Sequence, residues 1–125
     1  MWQSLDDHQP VFIQIREMIE NEIVEGGIKE GEQAPSTNQL VDYYTINPST
    51  VLKGINQLVD EGILYKKRGV GMFVAEGARN QLLQARKEAF KEEYVWRMMR
   101  EANRIGISNE EVQEMVRLMK GRDDL

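Results

Sequence analysis

The chain has 125 residues, 41% of them apolar and 30% charged, with a formal net charge of −5, which suits one ordinary domain or a small domain with an appendage. Cysteine is absent and His8 is the only histidine, so disulfides are excluded, the soft ligands of a zinc or iron–sulfur centre are missing, and no metal or cofactor is expected. No apolar run approaches the roughly 18 residues of a spanning helix, and the opening MWQSLDDHQP lacks the basic start and apolar centre of a signal peptide, so a soluble, cytoplasmic protein with no membrane partner is expected.

Pro10 reads as a first-turn residue of a helix whose apolar stripe is Phe12, Ile15, Ile19 and Ile23, ended by Gly26 and Gly27. Its outward side carries Arg16, Glu17, Glu20 and Glu25, the composition of a solvated face. The stretch IKEGEQAPS reads as a connector turning at Gly31. Ser36 then stands where a cap belongs, before a short helix from about Thr37 to Tyr44 with Leu40, Val41 and Tyr44 as its apolar set. After a turn centred on Thr45, Asn47 is an N-cap and Pro48 takes the first helical position, where its missing N–H costs nothing. Val51, Leu52, Ile55, Leu58 and Val59 form the expected buried stripe, and Gly62 is the left-handed residue that closes this third helix.

Ile63–Lys67 and Met72–Ala75 are β-prone runs flanking Arg68-Gly69-Val70-Gly71, a hairpin with a glycine-bearing tip. From Ala78 a long helical pattern carries Leu83, Phe90, Tyr94, Met98, Ala102 and Ile105 and breaks at Gly106. Ser108 and Glu111 have capping-box spacing before a last helix with Val112, Met115, Val116 and Met119, ending at Gly121. The expected fold class is therefore mainly α with a small β-hairpin: a winged helix-turn-helix domain over residues 1–77, followed by a short helical dimerisation domain over residues 78–125.

The acidic balance argues, taken alone, against nucleic acid as a partner. Residues 1–77 hold six basic and twelve acidic side chains, and the remainder ten and nine. The signs are segregated, however: Glu17, Glu20, Glu22, Glu25, Glu30 and Glu32 fall early, whereas Lys53, Lys66, Lys67 and Arg68 fall late. Opposite the stripe of the third helix lie Ser49, Thr50, Lys53, Asn56 and Gln57, all able to hydrogen-bond. The first two sit at the helix amino terminus, where free N–H groups and the dipole also favour a phosphate. The major groove admits a helix and displays base edges to such a face. Lys66, Lys67 and Arg68 lead into a Gly-Val-Gly tip whose backbone can pass close to a phosphate or enter the minor groove.

Through EGGIKEGEQAPSTNQLVDYYTINPSTVLKGINQLVDEGILYKKRGVGMFV the chain resembles the GntR family of bacterial transcription regulators: a Gly-rich connector, Pro-Ser, a helix, a capped recognition helix, Glu-Gly and a Gly-x-Gly-x-Phe-Val wing. The Asn-Pro-Ser-Thr-Val form and the short helical tail resemble the YtrA-type branch. The resemblance implies a homodimer that binds an inverted-repeat DNA operator and usually represses transcription. It implies DNA-facing roles for Ser36, Ser49, Thr50, Lys53, Arg68 and Gly69, which Thr37, Asn38, Asn47 and Lys67 join as candidates. Two positions depart from the family pattern. Asn38 stands where an arginine is usual, without the charge and bidentate fork suited to guanine, and Ala34 replaces the usual leucine before Pro-Ser.

An amphipathic tail of this length cannot bury its stripe alone, so a second copy is its expected cover, with Phe90, Tyr94, Met98, Ala102, Val112, Met115 and Met119 at the dimer interface. The tail is too short to enclose a drug-sized pocket of about 300 to 1,000 Å³. A small-molecule effector, if one exists, would lie in a cleft between head and tail beside Tyr94, Arg97 or Arg100, though no spacing singles out a site. No nucleophile, phosphate loop or paired-carboxylate motif supports an enzyme. The alternative reading is a winged-helix protein–protein interaction module without specific DNA binding, motivated by the acidic balance and by Asn38.

Overall fold

In the computed structural model, which describes residues 2–122 and 124, the first helix, α1, spans Val11–Val24. Pro10 is its N-cap rather than a first-turn residue, and Gly26, at φ +85°, follows its C-cap Glu25 in the left-handed conformation that terminates helices. Ile15, Met18, Ile19 and Ile23 are buried, whereas Phe12 is only half-buried. The next helix, α2 (Thr37–Tyr44), begins with a complete capping box: Ser36 Oγ accepts from the Gln39 N–H at 3.1 Å, and Gln39 Oε1 accepts from the Ser36 N–H at 2.8 Å. It ends at Thr45, at φ 55° and ψ 54° the one described non-glycine residue with positive φ, so a β-branched side chain sits in left-handed backbone where α2 turns into the next helix.

Helix α3 (Pro48–Asp60) crosses α1 and buries Val51, Gly54, Ile55 and Leu58, a three-and-four spacing that repeats the stripe of α1. Gly54 makes the crossing close: a Cβ there would stand 2.6 Å from the Phe12 carbonyl oxygen. Leu52 does not join the stripe as expected. It is 41% exposed, because at about 100° per residue it lies well over a quarter-turn from the centre of the buried arc. Val59 is half-buried.

Strands β1 (Leu64–Lys67) and β2 (Gly71–Val74) pair antiparallel in the register Leu64 with Val74 and Lys67 with Gly71, leaving Arg68, Gly69 and Val70 as the loop. The connector continues this sheet. Ala34 donates its N–H to the Met72 carbonyl at 2.9 Å, Val74 donates to Glu32 at 3.0 Å, and Gln33 bridges to Phe73. The connector therefore covers the outer edge of β2 and satisfies backbone groups that an isolated hairpin would expose.

The core gathers Ile15, Met18, Ile19 and Ile23 of α1 with Leu40, Val51, Ile55 and Leu58, Ile63, Leu64 and Val74, and beyond the hairpin Ala78 and Leu82. Each of these side chains larger than alanine contributes about 1.5–3 kcal/mol on burial. Residues before α1 belong to the same unit. The buried Gln14 side chain accepts from the Asp6 N–H and donates to the carbonyls of Asp6 and Gln9, while Trp2 meets Tyr43 edge-on at 4.8 Å between ring centroids. Tyr44 donates its hydroxyl to the Gln3 carbonyl at 2.6 Å, and burial, then the neighbouring Tyr43, pushes its pKa up.

The chain divides into two compact units, Met1–Gln84 and Ala85–Leu125. The division falls within α4 (Ala78–Phe90), whose first turn is capped by the Glu30 carboxylate accepting from the N–H groups of Gly77 and Arg79. Of the neighbouring leucines it is Leu82 that is buried; Leu83, the expected apolar position, is half-buried. The tail helix expected from Ala78 runs on through a π-helical stretch, Lys91–Trp96, between α4 and α5 (Arg97–Ile105), and ends at Gly106, at φ +81°. Helix α6 (Asn109–Met119) starts from the Ser108–Glu111 capping box. In this second unit Ala102 and Val112 are buried, while Phe90, Tyr94, Met98, Met115 and Met119 are exposed. No helix among the described residues is long and apolar enough to cross a membrane.

Candidate nucleic-acid interface

The amino terminus of α3 is fixed by its own cap. Asn47 Oδ1 accepts from the Ser49 N–H at 2.9 Å and from the Ser49 hydroxyl at 2.7 Å, and Pro48 supplies a preset φ. Thr50 and Val51 donate their N–H groups to the Asn47 carbonyl. The first turn of α3 therefore has no free N–H to give a phosphate, contrary to the expectation from the sequence. Its contribution there is the dipole and the side chains. Because its proton goes to Asn47, the Ser49 hydroxyl presents acceptor lone pairs outward.

Ser49, Leu52, Lys53 and Asn56 follow at positions i, i+3, i+4 and i+7 and are all exposed, forming one face of α3 opposite its buried stripe. Thr50 is half-buried at its side. Lys53 holds its ammonium 4.0 Å from the centroid of the Phe12 ring, which steadies a long side chain on the rim of that face. Gln57 does not belong to the presented set. It accepts from Arg16 Nη1 at 2.8 Å and is half-buried.

Arg16 also grips Glu61 through Nη1 and Nη2, each at 2.7 Å, and lies 3.5 Å from Glu20. The Glu61 hydrogen bond, against the opposing effect of burial, holds its pKa above the ordinary arginine value, with Glu20 adding to the rise. This arginine braces α3 against α1 and is committed to carboxylates, so it is no phosphate ligand. The expected solvated face of α1 thus carries a structural ion pair.

At α2, the Ser36 side chain makes the cap, Thr37 is half-buried and Asn38 is exposed. The Thr37 and Asn38 N–H groups have no partner among the described residues, so the open helix amino terminus is that of α2 rather than α3. In the wing, Lys66, Lys67, Arg68 and Gly69 are all exposed. Lys67 lies 4.2 Å from the Phe73 ring centroid, which fixes its stem and leaves its charge at the edge of the hairpin. Gly69, at φ +78°, allows the tight return of the loop.

The residue that the sequence did not reveal is Gln33. Its Nε2 donates to the Val70 carbonyl at 3.0 Å and lies 2.5 Å from where a Cβ on Gly71 would stand, so a side chain there would displace the Gln33 amide. The wing tip is thereby tied to the connector that ends, three residues later, in Ser36 and the open turn of α2. In the second unit, the candidate residues Met98, Ala102, Val112, Met115 and Met119 line one apolar groove of about 550 Å³ between α5 and α6, together with Ile105, Ile107 and Val116. The tail alone thus carries an open cavity within the size range of ligand pockets. Phe90 and Tyr94 lie apart from that lining, with ring centroids 5.4 Å from each other.

A capped helix presented after a short turn, beside an antiparallel basic hairpin, defines a winged helix-turn-helix protein. The chain belongs to the family described as bacterial regulatory proteins, gntR family, whose profile matches residues 13–74. It is 28% identical over 108 residues to the HTH-type transcriptional repressor YtrA of Bacillus subtilis, covering 86% of this chain and 82% of that protein. The crystal structure of a protein from Bacteroides thetaiotaomicron described as a transcriptional regulator of the GntR family matches with a TM-score of 0.73 and 32% identity, over 87% of this chain and 95% of the other. The DNA-binding domain of AraR in complex with operator ORR3 matches with a TM-score of 0.53 and 32% identity, over 58% of this chain and 88% of that one.

Proposed function

We propose that this protein is a sequence-specific DNA-binding transcriptional regulator, acting as a repressor, that binds an inverted-repeat operator in the cytoplasm as a homodimer. The observation that carries the proposal is the exposed ridge of Ser49, Lys53 and Asn56 on α3, opposite a fully buried stripe and next to an exposed Lys67-Arg68-Gly69 wing. In this reading α3 lies in the major groove and Ser49, Thr50 and Lys53 meet base edges, with Asn47 fixing where the helix begins. Thr37 and Asn38 offer backbone N–H groups to a phosphate, Ser36 holds that turn open, and Lys67, Arg68 and Gly69 lie along the neighbouring backbone or minor groove. Asn38 also offers an amide to an adenine edge or a phosphate.

Homodimerisation is supported by the tail. Met98, Met115 and Met119 surround an apolar groove that water would otherwise fill, with Ala102 and Val112 at its floor and Phe90 and Tyr94 as further exposed apolar surface. Two copies joined there would place their heads on half-sites about one helical turn, roughly 34 Å, apart.

Fluorescence anisotropy with labelled duplexes over a range of salt tests the proposal. Log K is expected to fall linearly with log salt at a slope of about −0.9 for each phosphate neutralised. Binding to no duplex at low salt, by a protein that sediments as a folded dimer, would overturn it in favour of a protein-interaction module.

A further inference from the structure

The large apolar side chains exposed in the first unit, among the described residues, are Tyr43, Leu52, Tyr65 and Val70. Tyr43 packs on Trp2, and Tyr65 stacks with Phe73 at 6.0 Å between centroids. Val70 is held at the wing tip by Gln33. Leu52 belongs to none of these clusters. It stands one turn from Ser49 and Asn56, beside Lys53, on the face of α3 that the proposed function places in the major groove. Leucine has no hydrogen bond to offer there, and pressed against a cytosine amino group or a guanine carbonyl it would strip water from a polar atom without replacing it. The apolar feature of the major groove is the 5-methyl group of thymine.

We propose that Leu52 is a specificity-determining residue that reads a thymine 5-methyl group, one in each half-site; this rests on the DNA-binding reading above. Thr50 and Lys53 lie on the other side of the same face, so the thymine falls to one flank of the bases they meet. The recognition is by contact and exclusion: the methyl packs on the leucine side chain, and base pairs presenting a polar edge at that step are disfavoured.

The test uses the intact protein and the best duplex it selects from a random pool. Replacing the candidate thymine in both half-sites by deoxyuridine removes the methyl groups alone, and is expected to weaken binding on the order of 10-fold. Cytosine there weakens it further, and 5-methylcytosine recovers part of that loss. In Leu52→Ala, whose unchanged thermal melting shows that it folds, thymine and deoxyuridine bind alike and the thymine preference disappears from the selected sequences. Leu52→Met keeps the preference for the methyl-bearing base. Equal sensitivity to deoxyuridine in wild type and Leu52→Ala, or no thymine sensitivity in a wild type that binds DNA specifically, overturns the assignment of Leu52 alone. A wild type that selects no sequence overturns the DNA-binding reading itself and this inference with it.

Discussion

Gly54→Ala tests how closely α3 is seated on α1. In an exposed helix this change stabilises by about 1 kcal/mol, because alanine loses less backbone entropy. Here the new methyl would stand 2.6 Å from the Phe12 carbonyl oxygen, with Ile15 Cβ and Cγ2 both at 3.5 Å. The offending atom is main chain, so it cannot rotate away. Relief requires α3 to move off α1 by several tenths of an ångström, and overpacking of that kind costs roughly 1–3 kcal/mol. Overpacking outweighs propensity, leaving a net loss of about 1 kcal/mol, which in a head of this size lowers Tm by about 4–8 °C. The displacement also carries Ser49, Lys53 and Asn56 with it, so DNA affinity falls alongside stability. Urea and thermal unfolding provide the measurement. Asn56→Ala, on the exposed face of the same helix, is the control and gains about 0.5 kcal/mol from propensity. If Gly54→Ala were as stable as that control or more so, the close crossing would be refuted.

Other consequences are equally open to measurement. Arg68→Ala should weaken binding to all duplexes alike and reduce the salt slope by about 0.9 per half-site, whereas Thr50→Ala or Asn38→Ala should change the bases selected; the same sequence preference in all three variants would reject this division of roles. Met115→Glu puts a charge into the apolar groove of the tail and should weaken self-association on the order of 100-fold or more in sedimentation equilibrium, given about 1.5–3 kcal/mol for each buried methionine on two symmetric copies; a dimer of unchanged affinity would remove that groove from the interface. Burial raises the Tyr44 pKa above its ordinary value of 10.0, so the folded state favours the neutral phenol. Its contribution to stability is therefore complete below pH 10 and lost as pH climbs through the raised value, the unfolded chain ionising first. The alkaline decline in urea midpoint should be shallower in Tyr44→Phe, and identical declines would contradict a folded state that favours the neutral phenol.

Much of the head was legible because its signals are local. Asn47-Pro48 and the cap Ser36 mark helix starts from neighbouring residues alone, and the structure shows both caps, Ser36 in a box with Gln39. The spacing of Val51, Ile55 and Leu58 gave the buried side of α3 for the same reason. Hydrophobicity alone assigns Leu52 to that stripe, although its angular position sets it apart. What remained hidden depends on segments distant in sequence. Gln33 meeting Val70, Arg16 bridging to Gln57 and Glu61, and Gly54 under Phe12 are contacts for which no local pattern exists. The α3 amino terminus differs from its expected role because a good cap consumes the same N–H groups that a phosphate would need. The π-helical stretch Lys91–Trp96 contains neither proline nor glycine, and nothing in the structure explains why the helix widens there.

In the proposed function, the polar ridge of α3 and the cationic wing engage a duplex in spite of an overall charge of −5. Selection of bound sequences from random double-stranded DNA by the purified protein, at low ionic strength, tests it most directly. Enrichment of a palindrome whose half-sites are centred about one helical turn apart is the expected result. Recovery of an unenriched pool, or of nothing at all, would contradict it.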